Sequence, residues 1–151
     1  MRDGRKLGRK ERREQMMEIT GIDHVQLAMP AGREAEARAF YGGLLGLPEL
    51  TKPVPLQARG GCWFAIPGSQ LHMGVEAEFL PQRKAHPALL VRDLEACRAE
   101  LAATGVPIVP DATLPNVRRF YASDPFGNRL EFIQEGDGFA SLPERLNLPG
   151  S

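Results

Sequence analysis

Residues 120–132 read Phe-Tyr-Ala-Ser-Asp-Pro-Phe-Gly-Asn-Arg-Leu-Glu-Phe. The run opens and closes on residues suited to strands. Its middle, Asp124 to Asn128, carries the Asp, Pro, Gly and Asn chemistry that a tight reversal requires. In Leu130-Glu131-Phe132 a carboxylate stands between two apolar residues, and on a strand it faces away from them. The same design occurs earlier. Trp63-Phe64-Ala65-Ile66 leads through Pro67-Gly68-Ser69 into Leu71-His72-Met73. Overlaying the two hairpins places His72 on Glu131.

The correspondence continues upstream. The first half begins at Ile22-Asp23-His24-Val25-Gln26-Leu27, followed by a helical stretch, Glu34 to Leu45, and by Gly46-Leu47-Pro48. The second begins at His86-Pro87-Ala88-Leu89-Leu90-Val91, followed by a helix, Asp93 to Ala103, and by Gly105-Val106-Pro107. In the second helix Leu94, Cys97 and Leu101 form one stripe, with Asp93 as N-cap and Gly105 and Pro107 as stop signals. This stripe reads Cys97 as core packing. In the first, Ala35, Ala39, Phe40 and Leu44 form the expected stripe. Each half therefore reads as βαβββ, and the expected class is α+β, two such modules forming a shared cavity. The plain alternative is a ferredoxin-like domain without a repeat. Module one is expected over about 18–78 and module two over about 84–135, within a domain of 17–135.

Composition fits one soluble domain: 151 residues, 42% hydrophobic and 25% charged, with 19 basic and 19 acidic residues. Balanced charge gives no footprint for nucleic acid. No apolar run approaches the roughly 18 residues of a membrane span, and the basic start lacks the apolar stretch of a secretory signal. A cytoplasmic location is expected. Residues 1–16 hold seven basic against three acidic residues and almost nothing apolar. They read as a disordered basic tail or a mis-assigned start. Residues 136–151 read as a C-terminal tail that covers the pocket or a neighbouring subunit.

The overlay pairs His24 with His86, and His72 with Glu131. These positions use all three histidines of the chain. Around His24, His72 and Glu131 the apolar neighbours alternate, so each polar group faces away from its helix. Around His86 the alternation is less clean, because Ala88 and Leu90 follow at even spacing. Three imidazoles and a carboxylate suit one divalent cation such as Fe, Mn, Ni, Co or Zn. They leave about two adjacent open positions, which suit a substrate with neighbouring oxygens. The cation then stabilises negative charge developing on substrate oxygen. Glu76, on the expected face of His72, is a substitute ligand. Trp63, Phe64 and Tyr121 are candidate pocket walls, with core packing as the competing reading. Of Arg118 and Arg119, adjacent on a strand, at most one faces inward to clamp an anion. Arg83-Lys84 reads as a solvated linker.

The motifs Ile22-Asp23-His24-Val25, Phe40-Tyr41 with Leu45-Gly46-Leu47, and Asp124 through Phe132 resemble the vicinal-oxygen-chelate superfamily, which comprises glyoxalases, dioxygenases, thiol transferases and bleomycin-resistance proteins. The resemblance spans about 18–135. It implies metal ligands at His24, His86 and Glu131, and a fourth at His72, where glyoxalase I-like members usually carry a carboxylate. It implies that Glu131 also serves as catalytic base. It further implies a homodimer in which modules are exchanged and one metal draws ligands from both chains. The expected function is a metal-dependent lyase or isomerase, dioxygenase or thiol transferase acting on a small molecule. The alternative is a metal-free, drug- or metabolite-sequestering protein.

Overall fold

The computed structural model describes residues 17–146; the basic segment 1–16 lies outside them. Eight strands form two four-stranded sheets. The first half contributes β1 (His24–Met29), β2 (Glu49–Leu50), β3 (Cys62–Ile66) and β4 (Ser69–Val75). The second contributes β5 (Ala88–Val91), β6 (Ile108–Asp111), β7 (Arg119–Ser123) and β8 (Arg129–Gln134). The orders are β1-β4-β3-β2 and β5-β8-β7-β6. In both sheets the first and last strands are parallel neighbours and the rest are antiparallel. The repeat read in the sequence is therefore a repeat of topology: two βαβββ modules in one α+β chain. Among the described residues no helix is long and apolar enough to cross a membrane.

Each sheet packs one face on its helix, and period two decides which. In the first sheet Leu27, Met29, Phe64, Leu71 and Met73 are buried with Ala37, Phe40 and Tyr41. In the second, Phe120, Ala122, Leu130 and Phe132 are buried with Leu94 and Leu101 of α3 (Leu94–Ala103). Burying each large side chain contributes about 1.5–3 kcal/mol. Asp93 caps α3 by accepting from the Ala96 N–H at 3.0 Å. The first module's helix departs from its expected form. A short α1 (Glu34–Ala37) runs on into a π-helical turn, Arg38–Leu44, whose end is marked by the Leu45 N–H donating to the Phe40 carbonyl at 2.8 Å. The wider turn lets the consecutive residues Phe40 and Tyr41 both face the core, while Ala35 and Ala39 stay exposed. The α-periodic stripe Ala35-Ala39-Phe40-Leu44 is corrected accordingly. Between β2 and β3 lies the short α2 (Val54–Gln57).

The reversal between β7 and β8 fastens the modules together. Asp124 is buried, and its carboxylate accepts from the Phe126 and Asn128 N–H groups at 2.9 Å each. It also accepts from the Asn128 side-chain amide at 3.0 Å and, from the other module, the Tyr41 hydroxyl at 2.7 Å. Four donors compensate its desolvation. Asn128, fully buried, donates to the Ala28 carbonyl of β1 at 2.8 Å and accepts from the Gln82 N–H at 3.1 Å. Gly127 takes φ +89°, and a Cβ there would lie 3.2 Å from Pro81. Burial raises the Tyr41 phenol well above its usual 10.0, and the neighbouring Asp124 raises it further.

Candidate functional site

The faces turned away from the helices carry the polar residues singled out in the sequence. On the first sheet, register sets His72 of β4 opposite Gln26 of β1 and Trp63 of β3. The rings form a three-layer stack. Trp63 lies 3.8 Å from His72 at 2°, and His72 lies 4.2 Å from His24 at 19°. His72 is buried. Desolvation, and then the neighbouring His24, hold its imidazole below the usual 6.5, which favours the neutral ring that a metal requires. Gly74 makes room on this face for the Gln26 side chain, whose amide a Cβ at that position would meet at 2.4 Å.

On the second sheet Glu131 of β8 is buried and His86 is half-buried, with His86 Nε2 3.1 Å from Glu131 Oε2. His86 lies two residues before β5 rather than on it. Pro87 has no N–H for a ladder, and its carbonyl accepts from the Glu131 N–H at 3.1 Å, which carries the pairing just past the strand end. The other Glu131 oxygen accepts from Arg119 at 2.8 Å, and the same guanidinium reaches Asp111 at 3.1 Å. Arg119 is largely buried and its Nε has no partner. Arg118 turns outward to Asp137 at 2.8 Å. Of the two arginines only Arg119 faces the site, and sequence reasoning could not choose between them because the hairpin register was unknown.

The imidazoles share a wiring pattern. His86 Nδ1 lies 2.6 Å from the Lys84 carbonyl, which can only accept, so Nδ1 carries its proton there and Nε2 is turned toward Glu131. His24 Nδ1 is held by Asp23 at 2.8 Å, and His72 Nε2 by the Gln70 amide oxygen at 2.8 Å. His24 and His72 are thus each fixed through one nitrogen with the other left over, the arrangement by which outer groups orient metal-ligating histidines, whereas both nitrogens of His86 face acceptors, the Lys84 carbonyl and the Glu131 carboxylate. The donor set fits a borderline divalent cation.

The four expected ligands gather as two pairs, His24 with His72 and His86 with Glu131. Among the described residues no group of three or more His, Cys, Asp or Glu side chains is placed to hold one ion. One chain therefore presents two separate pairs, the first (His24–His72) and second (His86–Glu131) half-sites of the expected metal centre. Glu76 lies beyond the end of β4, exposed, with its N–H donating to the Met29 carbonyl, and is not part of either. Of the aromatic candidates, Phe64 is fully buried core. Trp63 stacks on His72, and Tyr121 meets the His86 ring edge-on at 5.5 Å. Arg129, unremarked in the sequence, stacks its guanidinium on Tyr121 at 4.0 Å. Phe139 of the C-terminal segment lies against Arg119 at 5.2 Å.

Comparison with known proteins gives one family. Residues 21–132 match the model of the Glyoxalase/Bleomycin resistance protein/Dioxygenase superfamily. A crystal structure of a glyoxalase family protein from Bacillus anthracis is 49% identical, covers 78% of this chain and 97% of its own, and superposes with a TM-score of 0.75. A lactoylglutathione lyase from Agrobacterium tumefaciens is 18% identical over 79% of this chain and 96% of its own, with a TM-score of 0.62. A fosfomycin resistance protein from Listeria monocytogenes is 16% identical over 78% and 94%, with a TM-score of 0.63. At those identities the last two speak to the fold alone. No curated protein matches the chain.

Proposed function

Because the chain belongs to the Glyoxalase/Bleomycin resistance protein/Dioxygenase superfamily, we propose that it is a metal-dependent enzyme acting on a small molecule with adjacent oxygens. The reaction class is lyase or isomerase, dioxygenase or thiol transfer. The metal residues are His24, His72, His86 and Glu131. The observation that carries the reading is the wiring of the imidazoles, each fixed by an acceptor at one nitrogen, together with the 3.1 Å approach of His86 to Glu131.

Two donors on each face make a complete set only when two faces meet. A homodimer therefore sets the His24–His72 face of one protomer against the His86–Glu131 face of its partner. A divalent cation held there supplies Lewis acidity toward the substrate oxygens. The chain's own groups do the rest. Trp63 and Tyr121 wall the pocket and exclude water. Glu131 accepts or returns a proton where the reaction needs a base, and Arg119 and His86 fix the direction of its two oxygens.

Elemental analysis of untagged protein tests this, comparing the wild type with His86→Ala. Near-stoichiometric Fe, Mn, Ni, Co or Zn, lost in the variant, is the expected result. A wild type that takes up no metal even after reconstitution would overturn it in favour of a sequestering protein. A panel of a hemithioacetal, catechols and electrophilic epoxides then sorts the reaction classes.

A further inference from the structure

Beside the second half-site the open sheet face is hollowed into a cavity of about 360 Å³, whose walls include Arg83, Val109, Tyr121, Ser123 and Arg129. No carboxylate lines it. The two guanidiniums are brought there by backbone. The Arg129 N–H donates to the Gln82 carbonyl at 2.8 Å, and the Gln82 N–H donates to Asn128. The linker residue Arg83 is thereby stitched beside the start of β8. Arg119 has spent its amino groups on Glu131 and Asp111, and Arg118 is paired with Asp137. Among the described residues neither Arg83 nor Arg129 is in an ion pair. Arg129 instead sets its guanidinium carbon 4.0 Å from the centre of the Tyr121 ring, which packs T-shaped against His86 at 5.5 Å.

We propose that this cavity receives an oxyanion, a carboxylate or a phosphate, carried by the substrate, with Arg129 as its main contact and Arg83 as the second. The physical case is charge balance. Two arginines line one cavity whose wall holds no carboxylate, Asp111, the acid that acts on Arg129, being already bonded to Arg119, so a bound oxyanion supplies the counter-charge that the wall lacks. Packing on Tyr121 holds the Arg129 guanidinium while leaving its N–H fork for the paired acceptors of a carboxylate or phosphate. The Tyr121 ring spans from Arg129 to His86, so a ligand anchored there extends toward Glu131. The inference rests on the proposed function for the location of the reacting end, and it names the substrate class as anionic.

The test follows the Arg129 side-chain Nε–H signal by NMR in the metal-free full-length protein, titrated with inorganic phosphate and, separately, succinate at constant ionic strength. The expected result is a saturable shift with at least one probe, and the probe that binds distinguishes phosphate from carboxylate. Arg129→Gln should weaken binding roughly tenfold or more, as loss of a charge-assisted contact does, and Arg83→Gln should weaken it less. Arg98→Gln, on α3, should leave it unchanged. An Arg129 signal that ignores both probes, or equal weakening by Arg98→Gln, overturns the inference. If Arg129→Gln does not fold, the wild-type signal and Arg83→Gln decide. Metal content is measured on the same untagged protein before its metal is removed for the titration. Metal without anion binding sinks this inference and spares the function, and anion binding without metal does the reverse.

Discussion

The two half-sites occupy equivalent positions in equivalent modules, yet they are held by different forces. His24 and His72 are held by ring stacking with Trp63 and by single hydrogen bonds to Asp23 and Gln70. Glu131 sits in a charge lattice that runs through Arg119 to Asp111, and His86 joins it by a hydrogen bond. The topology fixed where a donor can stand, and the neighbouring sequence fixed how it is held. A stacked ring tolerates loss of a partner by sliding. A buried carboxylate does not, because its charge remains when the partner goes.

That contrast predicts a graded set of effects. The largest falls on the second half-site. Arg119→Met strands the Glu131 carboxylate and should cost about 3–5 kcal/mol in urea unfolding. Adding Glu131→Leu should recover most of it, and a double variant no better than the single one would refute the charge-lattice description. The seam comes next. Tyr41→Phe removes a hydrogen bond to a buried carboxylate and should cost about 1.5–3 kcal/mol while leaving the His72 and His86 NMR signals in place. The fold favours the protonated phenol, so its contribution is full below the usual 10.0 and is lost as pH rises above it. Wild type should therefore lose stability in that alkaline range more steeply than Tyr41→Phe, and identical slopes would count against the buried phenol.

A smaller effect belongs to the first half-site. Trp63→Leu should cost about 0.5–1.5 kcal/mol from the lost stack and move the His72 ring signals, with His86 unmoved. Smallest in stability is Asp23→Asn. Its carboxylate is almost fully exposed, and unfolding should be nearly unchanged. Metal affinity should nonetheless fall by roughly tenfold. Equal affinity would remove Asp23 from the orienting set.

The modules were legible because period two writes itself plainly around His24, His72 and Glu131. His86 read poorly for a physical reason: Pro87 delays β5 until Ala88, so alternation counted from His86 starts outside the strand. The first helix departs from its α-periodic stripe because a π turn changes the period after Ala37. Arg119 was undecided because register between β6, β7 and β8 is a tertiary property. The 124–128 turn was legible as a turn but not as a fastener, since Tyr41 and Ala28 lie far off in the chain. Division of the four donors into two pairs depends on how the open faces are disposed, which local pattern does not encode.

The fastening turn also bears on how the chain could be taken apart. Asp124 and Asn128 complete their hydrogen bonds only when the other module supplies the Tyr41 hydroxyl and the Ala28 carbonyl. Fragments cut within 81–85 would each expose an apolar flank and unmet polar groups that the other alone can match. Co-expressed as separate pieces, they should reassemble, whereas either piece by itself should aggregate. The repeat thus behaves as a matched pair and not as two interchangeable copies.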